Sequence, residues 1–146
     1  MPLAFVVEND LARQIVDAAY RVHTVLGPGL LESVYEEVLA HELRKRGLTV
    51  IQQQVIPVIY EDIRLEMGFR ADLIVENLLI VEVKSIAEIS PVHKKQLRTY
   101  LRLTEKRLGL LINFNVFLIK DGITRVVNGL QESRVFLFAA LRLCGK

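Results

Sequence analysis

"RADLIVENLLIVEVKS", Arg70 to Ser85, reads as two apolar strands folded about a tight turn at Glu76-Asn77. Asp72, Glu82 and Lys84 stand inside that apolar run. With the turn centred on Asn77, Asp72 lies five residues before it and Glu82 five after. That spacing sets the two carboxylates opposite each other, with Cβ atoms about 5 Å apart. Lys84 follows Glu82 by two residues, so strand alternation puts it on the same face, and Val81 and Val83 take the other. All three charged groups converge on one patch of a largely apolar sheet.

Facing carboxylates repel, and partial burial adds to the cost. A divalent cation removes the conflict, because Mg²⁺ accepts one or two carboxylates together with waters and phosphate oxygens. Lys84 beside them suits orienting or deprotonating a water, or stabilising charge on phosphate. The same residues also fit a solvated surface triad of mutually compensating charges, and spacing alone leaves both readings open.

Outward from the hairpin, the period alternates between helix and strand. "NDLARQIVDAAYRVHTVLG" starts with an N-cap at Asn9 or Asp10, and Leu11, Ile15, Ala18, Ala19, Val22 and Leu26 recur at helical spacing. "GPG" at 27–29 ends that helix. "LLESVYEEVLAHELRKRG" predicts a second helix with Leu31, Val34, Val38, Leu39 and Leu43 as its apolar stripe and a basic last turn before Gly47. "LTVIQQQVIPVIY" and "EDIRLEMGFRADLIVE" are strand-like, with Pro57 implying an edge position, a bulge or a break. "SPVHKKQLRTYLRLTEK" predicts a third helix with Ser90 as N-cap and Pro91 at its first position. "RLGLLINF" and "VFLIKDGITRVVNG" return to strands, the latter turning at Asp121-Gly122. The apolar tail "LQESRVFLFAALRLCGK" fits helix or strand. The order is ααβββαββ plus a tail, an α/β domain.

Composition narrows the class. The 146 residues are 51% hydrophobic and 25% charged, which suits one domain over residues 1–146 with a sizeable core and argues against disorder. The single cysteine, Cys144, excludes a disulfide framework within the chain and points to a reducing setting. "MPLAFVVEND" has no basic n-region, and the most apolar window, 108–119, is interrupted by Asn113 and Asn115 and too short for a membrane span. The expectation is a soluble, cytoplasmic protein. With a net charge of only +2, a nucleic-acid surface has to be a local patch.

Two helix faces add polar groups. Glu32, Tyr35 and Glu36 share one face of the second helix, and His93, Gln96 and Tyr100 share a stripe of the third. Each also reads as an ordinary boundary row, and His23, His41 and His93 have no metal-ligand partner at useful spacing. Lys94, Lys95, Arg98, Arg102, Lys106 and Arg107 form a basic strip on and after the third helix, a candidate phosphate contact that also fits a solvated face.

Here the sequence resembles a known family. "GLLESVY" at 29–35 carries Gly29, Glu32 and Tyr35 in the pattern that names the GxxExxY proteins, which resemble the PD-(D/E)XK nuclease superfamily. The resemblance runs from about Asp10 to about Asn128 and implies a restriction-endonuclease-like fold, a mixed central β-sheet flanked by helices. It further implies that Glu32 is the helix acid, Asp72 the strand aspartate, Glu82 and Lys84 the E-x-K, and Gln96 with Tyr100 the Q-x-x-x-Y variant of the following helix. Ala71 stands where that motif has proline, which is not a ligand position.

The resemblance thus implies a Mg²⁺- or Mn²⁺-dependent nuclease acting on DNA ahead of RNA. Asp72, Glu82 and Glu32 serve as metal ligands, Lys84 activates the nucleophile, Gln96 and Tyr100 position the site, and Lys94, Lys95, Arg98 and Arg102 meet nucleic acid. The alternative is a catalytically silent binding or self-assembling module that keeps the fold, with the apolar tail 134–143 as a dimer surface.

Overall fold

In the computed structural model, which describes residues 3–130, two helices lead into the sheet: α1 (Leu3–Leu26) and α2 (Glu32–Lys45). They are followed by β1 (Val50–Tyr60), β2 (Ile63–Val75), β3 (Leu79–Lys84), α3 (Pro91–Thr104), β4 (Leu108–Asn113) and β5 (Ile123–Val127). The strands form one sheet in the order β1-β2-β3-β4-β5. Only β3 and β4 pair in parallel. A parallel pair needs a long crossover, and α3 supplies it. The order ααβββαββ is the expected one.

Two buried clusters sandwich the sheet. On one face Leu11, Ile15, Ala18, Ala19 and Val22 of α1 join Leu39 and Leu43 of α2 against Val81, Val83, Leu110 and Ile112. On the other face Leu97, Tyr100 and Leu101 of α3 cover Ile80, Leu111 and Val126. Both sides of β3 and β4 are therefore shielded, as continuous apolar runs require. Glu76 and Asn77 at the β2–β3 turn both carry positive φ, 52° and 54°, the conformation of a primed hairpin turn. Pro57 lies in the edge strand, and the β1–β2 register shifts between Ile56 and Val58, so edge position and bulge coincide.

Three expectations are corrected. The first helix starts at Leu3, which puts Asn9 and Asp10 inside it. There the Asn9 carboxamide accepts from Arg125 Nη2 at 2.7 Å instead of capping. The buried stripe of α2 is Tyr35, Leu39, Ala40 and Leu43, while Leu31 and Val34 are exposed. The helix begins only at Glu32, and its rotation is set by the anchoring of Tyr35 described below. Residues 116–118 are not strand: a 3-10 turn, Ile119–Gly122, precedes β5, and Phe117 is 92% exposed. The apolar tail, with Cys144 and the suggested dimer surface at 134–143, lies outside the described residues.

Candidate functional site

The β2–β3 ladder pairs Val75 with Leu79, Ile74 with Ile80 and Leu73 with Val81. One step further, side chains replace it. The Asp72 N–H donates to Glu82 Oε2 at 2.8 Å, and the Val83 N–H donates to Asp72 Oδ2 at 2.9 Å. Each carboxylate thus stands where the facing strand's carbonyl would be, satisfying a backbone donor that burial would otherwise leave costly. Asp72 and Glu82 face each other as the hairpin spacing predicts, but they are bonded reciprocally to backbone.

Burial makes this pair reluctant to ionise. Glu82, only 5% exposed, is pushed up to about 8, first by burial and then by the Asp72 charge. Asp72 is raised as well, chiefly by burial, although the Val83 N–H, the Gln53 amide and Lys84 all pull it down. Lys84 is half-buried, and its charge favours the ionised form of both acids. Val83 packs with α1 and α2, and Ile80 packs under α3, so alternation places Glu82 and Lys84 on the α3 side.

The GLLESVY stretch brings α2 to this end of the sheet. Gly29 has φ 101°, which favours glycine. Glu32, the first residue of α2, accepts the Ser85 N–H at 3.0 Å, and Ser85 Oγ donates to the Leu30 carbonyl at 2.6 Å. The start of α2 is thereby tied to the residue after Lys84, and the Glu32 charge is felt at Asp72. Tyr35 is not part of a polar face. It is fully buried, stacked on Phe114 with ring centres 4.5 Å apart, and its hydroxyl donates to the Gly27 carbonyl and accepts the Leu30 N–H.

On α3, Tyr100 is buried against Phe69. Its phenol is pushed up to about 12 by burial and by the charges of Glu82 and Asp72, which keeps it protonated. Gln96, one turn earlier, is exposed and is not among the hydrogen-bond partners of either carboxylate. His93 serves the helix itself, because its Nδ1 accepts the Ser90 N–H at the start of α3. Lys94, Lys95, Arg98 and Arg102 are exposed. Lys106 bonds Asn77 and Arg107 is paired with Glu8, so the basic strip shortens to the four residues on the helix.

Sequence reasoning missed Gln53 and gave Glu36 no role. Gln53 Nε2 donates to Asp72 Oδ1 at 3.2 Å and to Glu36 Oε1 at 2.6 Å. Burial raises Glu36 too, against the pull of Gln52 and Gln53. The only signal was the run Gln52-Gln53-Gln54 in an otherwise apolar strand.

The donor set fits a hard divalent cation: oxygens only, on two carboxylates that repel in a half-dry setting, with Lys84 alongside. Among the described residues no cluster of three or more His, Cys, Asp or Glu is arranged to hold a metal, and Glu32 is bonded to the Ser85 N–H. Nor is any described helix long and apolar enough to cross a membrane. A family model for the PD-(D/E)XK nuclease superfamily matches residues 9–126, which include α2, the hairpin and α3. No curated protein and no solved structure gave a match.

Proposed function

Since the chain belongs to the PD-(D/E)XK nuclease superfamily, we propose that it is a single nuclease domain over residues 1–146. It hydrolyses phosphodiester bonds in nucleic acid, DNA ahead of RNA, with Mg²⁺ or Mn²⁺ at Asp72 and Glu82. Nucleases of this superfamily generally use divalent metal ions. The observation that carries the reading is the reciprocal locking of Asp72 and Glu82 across the end of the hairpin, with Lys84 two residues on. Repulsion and burial are tolerated there, which is the usual mark of a functional site.

The cation, when bound, supplies Lewis-acid polarisation of the scissile phosphate. The chain's own groups do the rest. Lys84 orients the attacking water and, as an ammonium, stabilises negative charge growing on the phosphate. Glu32 holds the backbone just beyond Lys84 through the Ser85 N–H, so it acts as a positioning acid. Tyr100, held neutral, walls the site on the α3 side, and Gln96 lies one turn away, where a substrate strand passing along α3 meets it.

Lys94, Lys95, Arg98 and Arg102 carry the phosphate contacts. DNA affinity falls steeply with salt on this reading, and replacing two contacting residues makes the log–log slope shallower by about 2. Binding titrations of wild type and Lys94→Ala/Arg98→Ala between low and physiological salt read this out. An unchanged slope removes the strip from the interface.

A second reading, a self-assembling module, is favoured by the distal half of the β1–β2 hairpin. That ribbon pairs Val58 with Leu65 and Tyr60 with Ile63, and Tyr60, Ile63 and Met67 are 66%, 53% and 86% exposed. No described residue covers this apolar face. Should it join two copies, Ile63→Glu abolishes a concentration-dependent dimer in analytical ultracentrifugation. A wild type that sediments as a monomer at all concentrations removes this reading.

A further inference from the structure

Five described non-glycine residues have positive φ. Glu61, Glu76 and Asn77 are in hairpin turns and Glu105 ends α3, where that conformation is commonplace. Gln53, at φ 54°, lies inside β1. A residue with a Cβ keeps such a conformation only where its surroundings over-determine it.

What over-determines it here is Glu36. In a regular strand Gln52 and Gln53 point to opposite faces. In this strand both reach the same carboxylate: Gln52 Nε2 donates to Glu36 Oε2 at 3.1 Å and Gln53 Nε2 to Oε1 at 2.6 Å. Gln52 is itself held, with Arg44 Nη1 donating to its Oε1 at 3.0 Å and its amide also reaching Glu37. The left-handed turn at Gln53 brings its amide round to this side of the sheet. The same nitrogen then also donates to Asp72 Oδ1, 3.2 Å away. With Val83 on Oδ2, both oxygens of Asp72 are oriented.

We infer that Gln53 is a positioning residue for Asp72. Its amide, anchored by Glu36, fixes the rotation of the Asp72 carboxylate and stands between two acids that would otherwise face each other. The inference rests on the metal-site reading of Asp72 and Glu82. A partner that orients a ligand in this way typically contributes 10- to 100-fold in metal affinity.

Two variants separate the amide from the backbone. Gln53→Met keeps the length and the strained φ but donates nothing. Gln53→Gly also donates nothing, and it relieves the strain. Calorimetric titration with Mn²⁺ is expected to show binding weakened by about 10-fold or more in both. Thermal melts of the metal-free proteins are expected to place Gln53→Gly above Gln53→Met. Loss of affinity in a variant freed of strain is something a purely structural strand residue does not produce. Mn²⁺ affinity equal to wild type in both variants overturns the inference while leaving the metal site standing. A wild type that binds no Mn²⁺ overturns the metal site itself, and the inference with it.

Discussion

Lys84→Ala is expected to lower metal-dependent cleavage by about 10²-fold or more while leaving the fold and Mn²⁺ affinity close to wild type. The lysine is not a ligand, because its ammonium has no lone pair to donate. It stands two residues beyond Glu82 on the same face, beside the carboxylates and next to the Ser85 N–H that Glu32 holds. From there its effect falls on the water and on the phosphate as it becomes five-coordinate. The Lys84 charge also helps Asp72 and Glu82 ionise, and Glu82 is pushed up to about 8 even with that help, so affinities are compared across a pH series and read where they no longer change with pH. The assay offers single-stranded, duplex and branched DNA and RNA, since a nuclease given the wrong shape looks inert. A substrate cut equally well by Lys84→Ala refutes the mechanism. A wild type that cuts none of them with Mg²⁺ or Mn²⁺ favours the self-assembling module.

The hairpin is legible in the sequence because both of its rules are local. Period-two alternation and a turn at Glu76-Asn77 suffice to set Asp72 against Glu82, and the register obeys them. What those rules do not contain is competition for backbone donors. Nothing in the spacing says that the β2–β3 ladder stops at Leu73 and that the two carboxylates finish it. Tyr35 misleads for a related reason. Between two glutamates it looks like part of a polar face, yet its ring stacks on Phe114, far along the chain, and its hydroxyl is satisfied by Gly27 and Leu30. That long-range anchor rotates α2, leaving Leu31 and Val34 exposed and turning Glu36 toward Gln52 and Gln53.

Apolar content is a poor guide wherever no neighbouring strand is in reach. "VFLI" at 116–119 has strand composition, but β4 already ends at Asn113. The Asn113 side chain is spent on the backbone of Ile86 and Asn115, which tethers the segment after Lys84 to the chain leaving β4. The same tether serves the site, because it holds the chain just after Lys84. Gln53 is invisible for a different reason. Its left-handed φ in mid-strand goes with a bond to Glu36 on another element, and a run of three glutamines gives no sign of which one departs from the pleat.

The metal-free protein is expected to lose stability as pH rises from about 4.5 to about 8, and the bound cation to reverse that trend. Unfolded, Glu82 titrates near its ordinary value of 4.5, whereas folded it holds its proton up to about 8. Between those limits the folded state binds the extra proton, so stability is fully present below the window and declines through it. Mg²⁺ or Mn²⁺ displaces that proton, so its stabilising effect grows as pH rises through the window. Asp72→Asn removes the charge that adds to burial in raising Glu82, so the metal-free decline becomes shallower, and stability near pH 8 rises above wild type. The same substitution takes away one of two carboxylate ligands, and the metal-induced rise in melting temperature shrinks sharply. Glu82→Gln imitates the protonated form, keeps an acceptor for the Asp72 N–H and flattens the pH profile. Thermal melts from pH 5 to 9, with and without metal, distinguish these outcomes. Equal metal-induced shifts in wild type and Asp72→Asn would show that the two acids do not share one cation, and a metal-free wild type that gains stability across the window would show that folding does not raise Glu82. The reason to expect otherwise is physical: a buried and a half-buried carboxylate, each locked to the other's strand, cannot move apart to relieve their repulsion, so proton or metal must.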